Sequence, residues 1–359
     1  DHRFLDNVAT HILDIDYETI SLYPGSYSKF VADKAETRER KEGEIDRQRK
    51  IIDEKKAFVE RFRYKATKAR QAQSRIKQIE KIEVEELAQS SRRAPHLKFE
   101  QTRKSGRDVL KINGLSKSYE AKQVLRDVSI EVRRGDKLAV IGANGLGKST
   151  LIKCLVGNLQ HDGAATWGYE THVGYFPQDH SELLDQPKQS ALDYLWDSCP
   201  QETTSFVRGH LGRLLFSGED VEKKISSLSG GERARLIFSK LIVSKPNVLV
   251  LDEPTNHLDI ESIEALVNAL AAYDGTVIFV SHDRWFVSQL ASRVVEITEG
   301  GIRDYAGTYD EYLSHCGDDH LDADAVALKA KRDKKKHLED GAKDNDWQQQ
   351  KLLRARHRK

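Results

Sequence analysis

The segment that most restricts the fold is Gly142-Ala-Asn-Gly-Leu-Gly-Lys148-Ser149, because its G-x-x-x-x-G-K-S spacing sits between two apolar runs. Leu138 to Ile141 precede it and Leu151 to Val156 follow it, which predicts a strand, a tight turn and a helix. Glycines in such a turn let backbone N–H groups close around phosphate oxygens, and the helix N-terminus adds its positive dipole end. Gly142, Asn144, Gly145, Gly147, Lys148, Ser149 and Thr150 are therefore candidate nucleotide-binding residues. Lys148 is suited to the β and γ phosphates as a point charge, and the Ser149 hydroxyl to Mg²⁺. A glycine turn can also be a bare strand-to-helix connection; Lys and Ser at these offsets favour the phosphate reading. Alone, the motif implies only a nucleotide-binding class.

A second apolar run, Val248-Leu-Val-Leu, ends in Asp252 and Glu253. It reads as a buried strand whose carboxyl end meets the nucleotide. Asp252 is the candidate magnesium ligand, directly or through water. Glu253 is placed to polarise the water that attacks the γ phosphate.

Further motifs surround these two, and at this point the chain resembles the ATP-binding cassette proteins. Leu228-Ser229-Gly230-Gly231-Glu232 resembles their signature motif, and Asn256-His257-Leu258-Asp259 their D-loop. Gln178 in Tyr-Phe-Pro-Gln is similar to the Q-loop glutamine that senses Mg²⁺, and His282 in Ser-His-Asp to the switch histidine at the γ phosphate. Tyr119 stands where the family stacks an aromatic ring on adenine. The resemblance implies ATP and Mg²⁺ as ligands, with Glu253, His282 and Gln178 as catalytic residues and Ser149, Gln178 and Asp252 at the metal. It also implies that the signature motif contacts ATP held by an opposite cassette, where glycine leaves room for the γ phosphate and the helix from Glu232 adds its dipole. Hydrolysis then needs two cassettes.

The chain is also similar to itself. Asp1 to Ile15 aligns without a gap on Asp283 to Ile297, and Ile20 to Tyr27 falls on Ile302 to Tyr309 at the same offset. Repetition at this separation indicates duplicated domains. The expectation is that Asp1 lies one residue beyond the switch histidine of an upstream cassette, so that the sequence is part of a tandem two-cassette protein. With 359 residues and a charged fraction of 32%, it is long enough for several domains and has no apolar run near the roughly 18 residues that span a bilayer. Its three isolated cysteines, Cys154, Cys199 and Cys316, point to a reducing compartment, the cytosol.

Between the remnant and the complete cassette, glycine and proline nearly vanish. Ile45, Ile52 and Val59 recur every seven residues with Ile51 and Phe58 alongside, and Ile76, Ile79, Ile82 and Leu87 mark a second stretch. This predicts two antiparallel helices with their turn near 64–73, each arm projecting about 45 Å. From Arg61 to Lys77 there is no acid; Arg61, Arg63, Tyr64, Lys65, Lys68, Arg70 and Arg75 form a basic tip suited to structured RNA, or simply a solvated helix end.

A tandem-cassette chain with a charged helical hairpin and no membrane domain resembles the ABC-F family of translation factors, of the short-linker type. That resemblance implies binding at the ribosomal E site, with the linker directed at rRNA and the P-site tRNA. The expected architecture is α/β: a P-loop ATP-binding cassette with a mixed β-sheet core and an α-helical subdomain, preceded by an antiparallel α-helical hairpin. Expected boundaries are a cassette remnant at 1–30, the hairpin at 31–97, the complete cassette at 98–316 and a charged tail at 317–359. Partners are the ribosome, the first cassette in cis or a second copy of the fragment, and no membrane domain. A transporter motor subunit and an ATPase acting on DNA junctions remain alternatives.

Overall fold

The computed structural model describes residues 2–16, 19–62, 76, 93–120, 122–298 and 300–316. The chain divides into two compact units, Asp1–Arg93 and Ala94–Lys359. The larger holds a six-stranded sheet ordered β11-β10-β5-β9-β8-β7. Its strands are β5 (Lys137–Ile141), β7 (Val173–Phe176), β8 (Val248–Asp252), β9 (Thr276–Val280), β10 (Arg293–Thr298) and β11 (Gly301–Ala306). All neighbours are parallel except β10 and β11. Strands β8 and β9 are buried at every position, which a parallel strand covered on both faces requires and which their unbroken apolar sequences supply.

Alternate residues serve opposite cores. Leu249, Leu251, Val277 and Phe279 face a core shared with helices α6 (Gly230–Ser244), α7 (Ile260–Ala271) and α8 (Arg284–Leu290). Val248, Val250, Ile278 and Val280 face a second core. It is completed by helix α3 (Lys148–Leu155) and by an antiparallel sheet ordered β4-β3-β6, made of β3 (Asp108–Tyr119), β4 (Lys122–Arg133) and β6 (Asp162–Trp167). A helical subdomain of α4 (Ala191–Trp196) and α5 (Thr204–Arg213) packs on α6. The mixed sheet with a helical subdomain is the predicted α/β cassette class.

The smaller unit repeats part of the larger. Helix α1 (His2–Val8), strands β1 (His11–Asp16) and β2 (Thr19–Pro24), and the start of α2 (Tyr27–Phe62) each begin 282 residues before α8, β10, β11 and α9 (Tyr309–Cys316). The same turn glycine recurs in the left-handed region, Gly25 at φ +121° and Gly307 at +159°. An aromatic trio recurs as well: Tyr23, Tyr27 and Phe30 in one unit, Tyr305, Tyr309 and Tyr312 in the other, with edge-on pairs Tyr23–Phe30 and Tyr305–Tyr312 at 5.0 and 6.0 Å.

Surroundings differ. Phe286, Leu290, Val295 and Ile297 are buried in the cassette, whereas their counterparts Phe4, Val8, Leu13 and Ile15 are each more than half exposed. Buried Asp14 and Asp16 both accept from Lys34 Nζ, at 2.7 and 2.8 Å, which ties the β1–β2 hairpin to α2.

Helix α2 starts at Tyr27 and passes without interruption through residue 30, where the sequence suggested a boundary. Ile45 is buried and Ile52 and Val59 are half-buried on it, while Ile51 is exposed. Arg61 falls in its last turn. The other tip residues Arg63, Tyr64, Lys65, Lys68, Arg70 and Arg75 lie outside the described residues, as do the second arm's Ile79, Ile82 and Leu87 and the tail 317–359. The cassette unit begins before residue 98, since Leu97 joins its core beside Phe99.

Phe279 has no exposed surface and its ring meets Phe286 edge-on at 5.5 Å. Phe279→Ala is expected to cost about 3–5 kcal/mol, measured by denaturant unfolding.

Candidate functional site

The parallel order β5-β9-β8-β7 sends four chain segments out at the carboxyl ends of the strands, the usual ligand position in such folds. The glycine-rich loop leaves β5, Ser281-His282 leaves β9, Asp252-Glu253 ends β8, and Pro177-Gln178 leaves β7. A cleft of about 450 Å³ is lined by Val124, Asn144, Gly145, Gly147, Lys148, Ser149, Thr150, Gln178, Glu253 and His282. It opens beside a larger cavity of about 810 Å³ that shares Val124, Asn144 and Gly145 and adds the cationic side chains Lys122 and Arg126.

The loop needs its glycines for different reasons. Gly145 and Gly147 have φ of +83° and +98°. A Cβ on Gly142 would lie 2.5 Å from the carbonyl oxygen of Ile297, so this glycine seats the loop against β10. Lys148 Nζ donates to Gly142 O at 2.8 Å and Ala143 O at 3.2 Å, curling the side chain over its own loop. Burial pulls its pKa down, opposed by the charges of Glu253 and Asp252.

Of the two acids at the end of β8, Glu253 lines the cleft and Asp252 does not. Burial pushes the Asp252 carboxyl up; its Oδ1 accepts from Ser149 Oγ at 3.1 Å, and its Oδ2 is buried without a hydrogen-bond partner. Glu253 stands at φ +52°, a left-handed conformation held by its N–H donating to Val280 O at 2.9 Å. Its Oε2 accepts from the His282 backbone N–H at 3.1 Å. Oε1 lies 3.2 Å from His282 Nε2 without the alignment of a hydrogen bond and has no such partner. Burial pushes the Glu253 carboxyl up to about 7, the His282 N–H partly offsetting it and the Asp252 charge adding to it.

The residues fit a magnesium nucleotide. An orphaned buried carboxylate oxygen beside a serine hydroxyl matches hard-cation chemistry, and no atom lies within 4 Å of a Cβ built on Gly145, which leaves the loop open to phosphate.

Several candidate residues lie off the cleft. Tyr119, at the end of β3, is not part of its lining, and Lys117 Nζ lies 5.4 Å over its ring. Leu228 to Glu232 start α6, where Ser229 and Glu232 form a reciprocal capping box, Ser229 Oγ accepting from Glu232 N and Glu232 Oε2 from Ser229 N. Asn256 to Asp259 lead into α7, capped by Asp259 Oδ1 accepting from Ser262 N at 2.7 Å. Neither segment lines the cleft. Val124 was not foreseen; its Cγ1 would lie 2.6 Å from a Cβ on Gly147, and only its place on the strand after Tyr119 could have signalled it.

Two family models, both described as ABC transporter, match the chain, over residues 125–256 and 13–99. Probable ATP-binding protein YbiT of Escherichia coli O157:H7 is 44% identical over 88% of this chain and 60% of its own length. ABC transporter F family member 5 of Arabidopsis thaliana is 37% identical over 87% of this chain and 46% of its own. The chain belongs to the ABC-F family. Protein GCN20 of Saccharomyces cerevisiae is a more distant relative, 33% identical over 88% of this chain and 42% of its own. The ABC-F chain thus spans 60% or less of the length of these curated relatives. Its larger unit is an ATP-binding cassette, an ATPase domain, and among the described residues no helix is long and apolar enough to cross a membrane.

The acid pair sets a pH dependence. A folded-state pKa near 7, above the ordinary 4.5, means the folded chain holds the Glu253 proton more tightly than the unfolded chain. The resulting destabilisation is absent below pH 4.5, grows to pH 7 and persists above it. Without nucleotide or Mg²⁺, Glu253→Gln is expected to raise stability by on the order of 1–3 kcal/mol at pH 8 and little at pH 4.5, read by thermal unfolding at both pH values.

Proposed function

We propose that this ABC-F chain is part of a tandem-cassette ATPase that binds the ribosome and modulates translation in an ATP-gated cycle. The observation that carries the reading is the separation of the signature residues 228–232 from the cleft that gathers Lys148, Ser149, Gln178, Glu253 and His282. A cassette built this way holds ATP at one place and presents its signature motif at another, so a second cassette completes each site. The repeated α1-β1-β2 unit supports an upstream cassette in cis, because the apolar side chains of Phe4, Val8, Leu13 and Ile15 are exposed where their counterparts bury themselves in a cassette core.

In this reading the residues take the following chemical roles. Gly145, Gly147 and Lys148 hold the phosphates, and the family resemblance gives Tyr119 the role of stacking on the base. Ser149, Asp252 and Gln178 hold Mg²⁺, which when bound neutralises phosphate charge. Glu253, kept basic by its buried position, orients and deprotonates the attacking water. His282 fixes the Glu253 carboxylate through its backbone N–H and reaches toward the γ phosphate. Ser229, Gly230 and Gly231 contribute donors to the ATP of the other cassette. Binding closes the pair and hydrolysis releases it.

The basic tip from Arg61 to Arg75 supports an RNA partner, and the family resemblance supports the ribosome, with the linker directed to rRNA and the P-site tRNA; the cytosol is then the site of action. The chain by itself should bind ATP yet turn it over slowly while monomeric, and Lys148→Ala should weaken nucleotide binding at least about tenfold, both measurable by calorimetry and phosphate release.

The decisive experiment is co-sedimentation of the tandem protein with ribosomes, with Glu253 and its counterpart in the other cassette changed to Gln. ATP-dependent retention is expected, reduced when Arg63, Lys65, Lys68 and Arg70 become Ala. Absence of retention with intact ATP binding overturns the ribosomal reading and turns attention to branched DNA.

A further inference from the structure

Gly230 and Gly231 have a neighbour in their own chain. A Cβ on Gly230 would lie 2.9 Å from His257 Cγ and 3.0 Å from His257 Cβ, and one on Gly231 would lie 3.0 Å from the His257 carbonyl oxygen. The D-loop histidine therefore occupies the space that the two glycines vacate. It does so from a left-handed backbone conformation, φ +67°, which a β-substituted residue adopts only when its surroundings hold it there.

His257 is four residues beyond Glu253, in a turn pinned by Asn256 N donating to Glu253 O at 3.2 Å and Leu258 N to Thr255 O at 3.2 Å. Its ring also meets His180 edge-on, with centroids 6.1 Å apart. His180 follows Gln178 by two residues and contacts Phe176, which stacks on Phe238 of α6 at 4.5 Å. The segments after β7 and β8 thus converge on the first turn and the body of the signature helix through packed rings.

We infer that His257 is a positioning residue that couples the ATP cleft to the signature motif of its own cassette, transmitting the state of the Glu253 turn to Gly230 and Gly231. That this motif then acts on the ATP of another cassette rests on the function proposed above. The coupling is a property of this chain alone. It gives the two glycines a second requirement, distinct from approach to phosphate: a side chain at 230 collides with the D-loop before any nucleotide arrives.

The test is a double-mutant cycle in the monomeric chain at dilution. Gly230→Ala is expected to lower the unfolding midpoint by about 3–10 °C, and adding His257→Gly, which removes the ring and accepts φ +67°, is expected to recover most of that loss. A functional readout separates coupling from mere packing. At nucleotide concentrations that saturate each variant, ATP should slow amide exchange at residues 228–233 by about fivefold or more in the parent chain, by less in His257→Gly, and near-normally in His257→Asn, which keeps a planar polar side chain and tolerates left-handed backbone. Absence of recovery in the cycle overturns the contact. Unchanged ATP-dependent protection in His257→Gly, or its absence from the parent chain, overturns the coupling. These measurements involve neither ribosome nor second cassette, so a negative co-sedimentation result does not bear on them.

Discussion

Parallel pairing of β5, β9, β8 and β7 is the constraint on which the site depends. Antiparallel neighbours would place the carboxyl ends of adjacent strands on opposite sides of the sheet; parallel ones place all four on the same side, within reach of one phosphate chain. The pairing is stabilised by unbroken apolar strands with both faces covered, so the charged residues are pushed to the strand ends. Asp252 and Glu253 are the extreme case, buried acids at the carboxyl end of β8.

That arrangement has a cost, and it is organised toward chemistry. Glu253 combines a buried carboxyl with a left-handed backbone, each unfavourable alone, and is held by Val280 O and the His282 N–H. Lys148, deprived of water, turns to the carbonyls of its own loop. The cleft therefore holds unpartnered carboxylate oxygens on Asp252 and Glu253, which a phosphate chain with a divalent cation would satisfy.

The smaller unit shows how far one sequence pattern carries. Its helix, two strands and turn repeat those of the cassette at a constant offset of 282 residues and with a matching aromatic trio, and the local signals Gly25 and Tyr27 recur as Gly307 and Tyr309. The fate of the next residues differs. After Phe30 the helix α2 continues through a run dominated by charged helix formers, with Ile45, Ile52 and Val59 spaced seven residues apart.

By itself, the sequence determined the nucleotide-binding class, the cassette fold, the internal repeat and the candidate residues of the phosphate loop, because phosphate chemistry demands fixed residue types at fixed spacings that a linear reading can detect. Only the tertiary structure decided which of those residues share one cleft, that Tyr119 is not among them and has Lys117 over its ring, and that Glu253 is raised to about 7. It alone decided the meeting of His257 with Gly230, since they belong to different loops whose separation carries no periodic signal. Burial and contact across loops depend on how β8, α6 and the Q-loop pack together, and no local stretch encodes that distance.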